Sequence, residues 1–141
     1  SSAPEWMFES VLGDDAVGRQ LAESCEEFPA LLHHVPRQSS ATYTAMLDGL
    51  GELVTAIADM AVFDAWPPLS EAGLSSGLLV MDTNVPQHIL ESACASNREV
   101  WIEPVSVAKA RRITSCLNRL SLVTPNIDEL RAMVEALGEA W

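Results

Sequence analysis

Short apolar runs broken by polar, turn-forming residues mark the chain from its seventh residue onward. Met7 to Leu12 is mostly apolar and stops at Gly13-Asp14-Asp15, after which Val17, Leu21 and Cys25 recur at helical spacing up to Phe28. That pattern predicts a strand, a tight turn and a helix. Between Thr42 and Ala61, Tyr43, Ala45 and Leu47 alternate with Thr42, Thr44 and Met46, then Asp48-Gly49-Leu50-Gly51 intervenes and Leu53 to Ala58 follows. Alternation on both sides of a glycine-rich break predicts a β-hairpin with one polar face. Pro67-Pro68 and the small polar residues from Ser70 to Gly77 predict a loop.

The remainder is more regular. Leu78 to Met81 predicts a buried strand, Pro86 to Ala95 a helix opened by its proline, and Val100 to Ile102 a second strand. Val107 to Leu117 predicts a basic helix, Leu122-Val123 a third strand, and Ile127 to Leu137 a closing helix with Leu130, Val134 and Leu137 on its apolar face. Strands alternating with helices predict an α/β fold, a parallel sheet with right-handed crossovers. No internal repeat or low-complexity segment interrupts it.

Composition narrows the functional classes. The 141 residues are 48% hydrophobic, which suits one globular domain, and 8 Lys+Arg against 20 Asp+Glu give a net charge of -12. Such a balance works against a broad nucleic-acid surface or an anionic membrane, so neither partner is expected. Ser1 to Glu5 lacks the basic start and apolar run of a secretory signal, and Asp59 and Asp64 interrupt the apolar region from Leu53 to Trp66. Cys25, Cys94 and Cys116 are odd in number and lack CxxC spacing, which predicts neither a disulfide framework nor a zinc knuckle. A reducing, cytoplasmic setting is expected.

Ligands of open parallel sheets collect beyond the carboxyl ends of the strands. The residues that follow the apolar runs are polar: Gly13, Asp14 and Asp15, then Asp82 and Asn84, then Glu103, then Thr124, Asn126 and Glu129. Oxygen donors of this kind suit a hard cation such as Mg²⁺ bridging to phosphate. Asp82, Thr124 and Asn126 equally suit helix caps. Asn126 and Glu129, three apart at a helix start, share one face and fit either a metal's water shell or a capping box. Lys109 is the only lysine, and with Arg111 and Arg112 it forms the one positive cluster, suited to phosphate contact or to a solvated face. His33 and His34 are adjacent, so on an extended segment they would point to opposite faces and could not share a metal, and His88 has no partner at ligand spacing, so all three are expected in surface or core roles. Trp6, Trp66, Trp101 and Trp141 show no stacking-platform spacing and are expected to pack at core or edge.

Taken in order, several segments resemble the PfkB/ribokinase family of carbohydrate and nucleoside kinases, most closely its pseudouridine-kinase-like branch. Val11-Leu12-Gly13-Asp14-Asp15-Ala16-Val17-Gly18 resembles the family's GDDxxG turn, and Ala41 to Asp48 with Gly51-Glu52-Leu53 resembles its lid hairpin. Ile57-Ala58-Asp59-Met60, Met81-Asp82-Thr83-Asn84-Val85-Pro86 and Trp101 to Lys109 follow in the family's order, and Thr124-Pro125-Asn126-Ile127-Asp128-Glu129-Leu130 resembles its NxxE motif.

The resemblance implies a ribokinase-like (Rossmann-like) parallel sheet flanked by helices, with a small β-hairpin lid. It implies one partial domain over residues 1–141, the lid at about 40–62 and a βαβα core at about 77–138. The implied activity is transfer of the ATP γ-phosphoryl group to a hydroxyl of a sugar or nucleoside, with ATP and Mg²⁺ required. Asn84, Lys109, Asn126 and Glu129 would face the nucleotide, Asp82 and Glu129 the metal, and Gly13, Asp14, Thr42 and Thr44 the substrate and lid. The chain resembles the middle of such a kinase. The glycine-rich sugar contacts and the GAGD-type aspartate lie outside the resemblance, so no residue here is expected to be the catalytic base. The stretch from Pro67 to Gly77 is also short for the family's crossover helix. Two other readings stand beside it. One is a non-catalytic truncated module for binding or for self-association as a homodimer, favoured by unpaired sheet edges. The other is a haloacid-dehalogenase-type phosphatase with Asp82 as nucleophile, against which Asn84 stands where a second acid belongs.

Overall fold

The computed structural model describes residues 6–69, 77–96 and 98–141. Residues Ser1–Pro67 and Pro68–Trp141 make two compact units. In the first, strand β1 (Phe8–Gly13) runs inward, from exposed Phe8 to buried Val11, Leu12 and Gly13. Helix α1 (Ala16–Ser24) follows and leads to β2 (Ala30–Val35), which pairs parallel to β1 with Val11 opposite His33. Strand β2 has no alternating pattern, which is why its sequence does not announce it. A partly buried bond between His33 Nε2 and Glu9 Oε1 at 2.9 Å ties the two strands side by side.

Four short residues knot this unit together. Asp15 is the N-cap of α1 and accepts from Gly18 N at 2.7 Å. It also accepts from Ser40 N at 2.9 Å and from the Ser40 hydroxyl at 2.8 Å, while that hydroxyl accepts from Gly13 N at 3.1 Å. The packing leaves no room for a side chain at either glycine. A Cβ on Gly13 would lie 2.2 Å from Ser40 N, and one on Gly18 would lie 2.1 Å from the Gly13 carbonyl oxygen.

Strands β3 (Thr42–Leu47) and β4 (Leu53–Asp59) form the expected antiparallel hairpin, with Thr42 opposite Asp59 and a register shift at Met46/Leu47. The expectation of a single polar face does not hold, since every residue of both strands is exposed, Tyr43, Met46, Val54 and Ile57 included. A two-stranded ribbon has no second layer to bury either side. A 3-10 turn at Ala61–Ala65 follows and buries Val62. Residues 70–76 of the expected loop lie outside the described residues.

In the second unit, β5 (Leu78–Asp82), β6 (Glu99–Glu103) and β7 (Leu122–Val123) form a parallel sheet in sequential order. Helix α2 (Gln87–Ala95) crosses between β5 and β6, with Pro86 as its cap. The core is built from Ile89, Leu90 and Ala93 of α2, Val100 and Ile102 of β6, and Ile113. Leu78 and Val80 share one face of β5 and are exposed, while Leu79 and Met81 on the other face are half-buried, contrary to the expected buried strand.

The predicted basic helix splits. Residues Val107–Ala110 are helix α3, and Arg111–Arg119 continue as a 3-10 helix. Ile113 and Thr114 are β-branched, and Thr114 Oγ1, Ser115 Oγ and Cys116 Sγ each donate to a carbonyl three residues back. Those bonds favour the tighter winding. Helix α4 (Ile127–Ala136) also differs in its buried face, which is Glu129, Ala132 and Met133, whereas Leu130 and Leu137 are exposed. Its capped first turn fixes Glu129 inward, and Met133 follows one turn on.

Gly13→Ala and Gly18→Ala should each cost at least about 3 kcal/mol, because backbone atoms rather than flexible side chains occupy the space; chemical denaturation measures this. The hydrogen bonds from Gly18 N, then Ser40 N, then the Ser40 hydroxyl hold the Asp15 carboxyl below its ordinary 3.8. A depressed folded value means the stabilisation is full above 3.8 and is lost as pH falls through the folded value. Asp15→Ala should therefore melt below wild type from pH 5 upward, and the difference should start to shrink near pH 3.8 and close as pH falls through the depressed folded value.

Candidate functional site

Parallel pairing puts the carboxyl ends of β5, β6 and β7 on one edge, with Asp82 in register with Glu103. Thr124, just past β7, donates its N–H to the Ile102 carbonyl at 3.2 Å and its hydroxyl to Glu103 Oε2. The polar residues that follow three separate apolar runs thus meet along one line.

At the end of β5 a carboxylate, an amide and an ammonium form a relay. Asp82 Oδ1 accepts from Asn84 N at 2.8 Å, and Asp82 Oδ2 accepts from Asn84 Nδ2 at 2.7 Å. Both bonds fix the Asn84 amide with its oxygen outward, and Lys109 Nζ donates to that oxygen. Between them, Thr83 is fully buried and its hydroxyl donates to the Pro104 carbonyl. Lys109 is aimed by its own helix start: Ser106 caps α3 by accepting from Lys109 N. The cap follows a tight turn in which Ser106 N donates to the Pro104 carbonyl at 2.7 Å and Val105 has φ of 67°. A β-branched residue in the left-handed region is strained, and such strain collects where a loop is held for a purpose.

The basic triplet does not act as one cluster. Arg112 donates to the Thr83 carbonyl at 2.9 Å and the Val85 carbonyl at 2.8 Å, fastening the Asp82 to Val85 turn from the far side. Arg111 makes an exposed ion pair with Glu135 at 2.9 Å, worth little in stability. Of the three, Lys109 bonds to a side chain of that turn, Asn84, while Arg112 bonds to its backbone.

A second cluster opens α4. Asn126 Oδ1 accepts from Asp128 N at 3.0 Å and Glu129 N at 2.9 Å, and Glu129 Oε2 accepts in return from Asn126 N at 2.9 Å. The capping box is therefore present. Glu129 is 4% exposed, an uncommon setting for a carboxylate and one in which Oε2 is already committed to the cap. Among the described residues no three His, Cys, Asp or Glu are grouped to hold a metal.

In the first unit, Gly13 is locked in the Asp15–Ser40 knot, and Asp14 is exposed with its N–H on the Gln38 carbonyl at 2.9 Å. Thr42 and Thr44 alternate along β3 and so share one face of the ribbon. Ser40 is the position that sequence reasoning passed over, and the bonds by which Thr83 and Arg112 hold the turn after β5 were not foreseen from their motifs. Ser40 lies 25 residues from Asp15, with nothing local to mark it. His33 is bonded to Glu9, Trp6 stacks near Phe28 at 5.7 Å, and Arg131 sits over the Trp141 ring at 5.4 Å, all packing roles. No helix among the described residues is long and apolar enough to cross a membrane.

No protein-family profile matches the chain. A pseudouridine kinase of Arabidopsis thaliana is 35% identical over 109 residues, covering 70% of this chain and 29% of the relative. A carbohydrate kinase from Agrobacterium tumefaciens superimposes with a TM-score of 0.76 at 26% identity, over 91% of this chain and 46% of that structure. Ribokinase from Thermotoga maritima superimposes with a TM-score of 0.72 at 22% identity, over 94% of this chain and 46% of that structure. The chain thus spans less than half the length of each of the three. In sequence and in fold the chain is thus similar to kinases of the PfkB/ribokinase family, and it carries a ribokinase-like α/β segment.

Proposed function

We propose that this chain forms the nucleotide-facing part of an ATP-dependent kinase that transfers the γ-phosphoryl group to a hydroxyl of a nucleoside or sugar, pseudouridine being the acceptor its kinship favours. The observation that carries the reading is the Asp82–Asn84–Lys109 relay at the carboxyl edge of three parallel strands. An ammonium held by a neutral amide keeps its full charge available to a phosphate oxygen, and the amide's own orientation is fixed by Asp82. Phosphoryl transfer asks the protein mainly for positioning and charge neutralisation, which this relay supplies without covalent chemistry.

The donor set fits Mg²⁺ held in part by the nucleotide. Mg²⁺ binds through one or two carboxylates plus phosphates and waters rather than in an all-protein cage, and the described residues offer carboxylates in ones and twos. Asp82 and Glu129 would hold its shell, with Asn126 beside it. Glu129 would meet that shell through Oε1, since Oε2 serves the cap. Bound Mg²⁺ would neutralise charge on the β- and γ-phosphates. The hairpin of β3 and β4, exposed on both faces, would act as a lid carrying Thr42 and Thr44 toward the acceptor, with Gly13 and Asp14 at the substrate side. No residue of this chain is assigned as the base that takes the acceptor's proton.

Titration calorimetry with MgATP tests the reading. Lys109→Ala should weaken affinity roughly tenfold at low salt, with a smaller difference at high salt. Glu129→Gln keeps the capping acceptor, so it should leave the melting temperature nearly unchanged while lowering affinity several-fold only when Mg²⁺ is present. Asn126→Ala should also cost about 1 kcal/mol of stability through the lost cap. Wild-type affinity in both Lys109→Ala and Glu129→Gln would return these residues to purely structural roles.

A further inference from the structure

Away from the strand edge, two cysteines face each other at the start of an open cleft. Cys94 near the end of α2 and Cys116 in the 3-10 helix are 5% and 7% exposed, and their Sγ atoms lie 2.8 Å apart. That separation is about 0.8 Å beyond the ~2.04 Å of a covalent S–S bond. The cleft, about 290 Å³ in volume, is lined by both thiols together with Glu91, Ser115, Asn118 and Arg119. We propose that Cys94 and Cys116 are a dithiol modification site that closes to an intramolecular disulfide on reaction with a small-molecule disulfide of the glutathione class.

The cleft gives the oxidant access, and the distance makes the second step intramolecular. One cysteine, as thiolate, attacks a sulfur of the oxidant, forming a mixed disulfide and releasing one small thiolate. The other cysteine sulfur then attacks the protein sulfur of that mixed disulfide, forming the Cys94–Cys116 bond and expelling the second small thiolate. The two cysteine protons end on the two released thiols, so the protein loses two electrons and the oxidant gains them. Burial, then the hydrogen bond with Cys116, pushes the Cys94 thiol up to about 12, which disfavours Cys94 as the first attacker.

Closure would act on the candidate site from behind. Helix α2 starts just after the Asp82 to Val85 turn, and the segment bearing Cys116 also bears Arg112, which holds the Thr83 and Val85 carbonyls. A bond between the two fastens both sides of that turn.

The test is to incubate the protein with oxidised glutathione, alkylate, and measure intact mass and non-reduced peptides, in wild type and in Cys25→Ser, which removes the third thiol. In Cys25→Ser the expected result is a loss of about 2 Da, a linked Cys94–Cys116 peptide, reversal by dithiothreitol, and a melting midpoint raised by roughly 5 °C in the oxidised form; wild type should give the same linked peptide with one added group, on Cys25. Cys116→Ser should abolish the 2 Da loss. Two alkylated thiols, or a lasting glutathione adduct on either cysteine in Cys25→Ser, would overturn the proposal.

Discussion

Parallel register is the constraint on which the second unit's chemistry rests. Because β5, β6 and β7 all point the same way, whatever follows each of them must emerge along one edge. Asp82, Glu103 and Thr124 are neighbours for that reason and no other, being 21 residues apart in each step of the chain. An antiparallel arrangement would scatter them to opposite ends. Everything proposed for nucleotide binding follows from this line of polar groups, with Lys109 brought to it by the helix after β6.

Small side chains play the corresponding part in the first unit. Gly13 and Gly18 allow backbone to approach backbone, and Asp15 and Ser40 fill the hydrogen-bonding capacity that the close approach exposes. A motif that reads as a binding turn is thus also a packing knot. The same double duty recurs at Asn126 and Glu129, whose capping box is present whether or not a metal is bound nearby. In both places the structural role is compatible with the one proposed for the site, since a capped and fixed carboxylate is already oriented for a ligand.

Elements with strong periodicity or punctuation were legible in the sequence: β1 and its turn, the hairpin, and the strand–helix alternation from Leu78 on. The family resemblance added the order of the polar motifs. What escaped has physical causes. Strand β2 pairs in parallel and shows no alternation, so Leu31 to His34 carries no strand signal. The switch to 3-10 winding at Arg111 depends on side-chain hydroxyls bonding to carbonyls, and the burial of Glu129 in place of Leu130 depends on which neighbours α4 meets. Cysteine spacing predicted no disulfide, yet α2 and the 3-10 helix bring Cys94 and Cys116 together across 22 residues.

The proposed site would give a chain of net charge -12 a local means to address a nucleotide. One lysine at the strand edge, held by a neutral amide, supplies local positive character, while the neighbouring arginines are spent on an ion pair and on backbone carbonyls. The most direct test of this account is phosphorus NMR of the protein, produced as its source cells make it, with MgATP and pseudouridine. Growth of a phosphomonoester resonance on the nucleoside in step with ADP is the predicted result. No phosphomonoester with pseudouridine, or with any nucleoside or sugar of a panel, together with unperturbed ATP resonances, would contradict it.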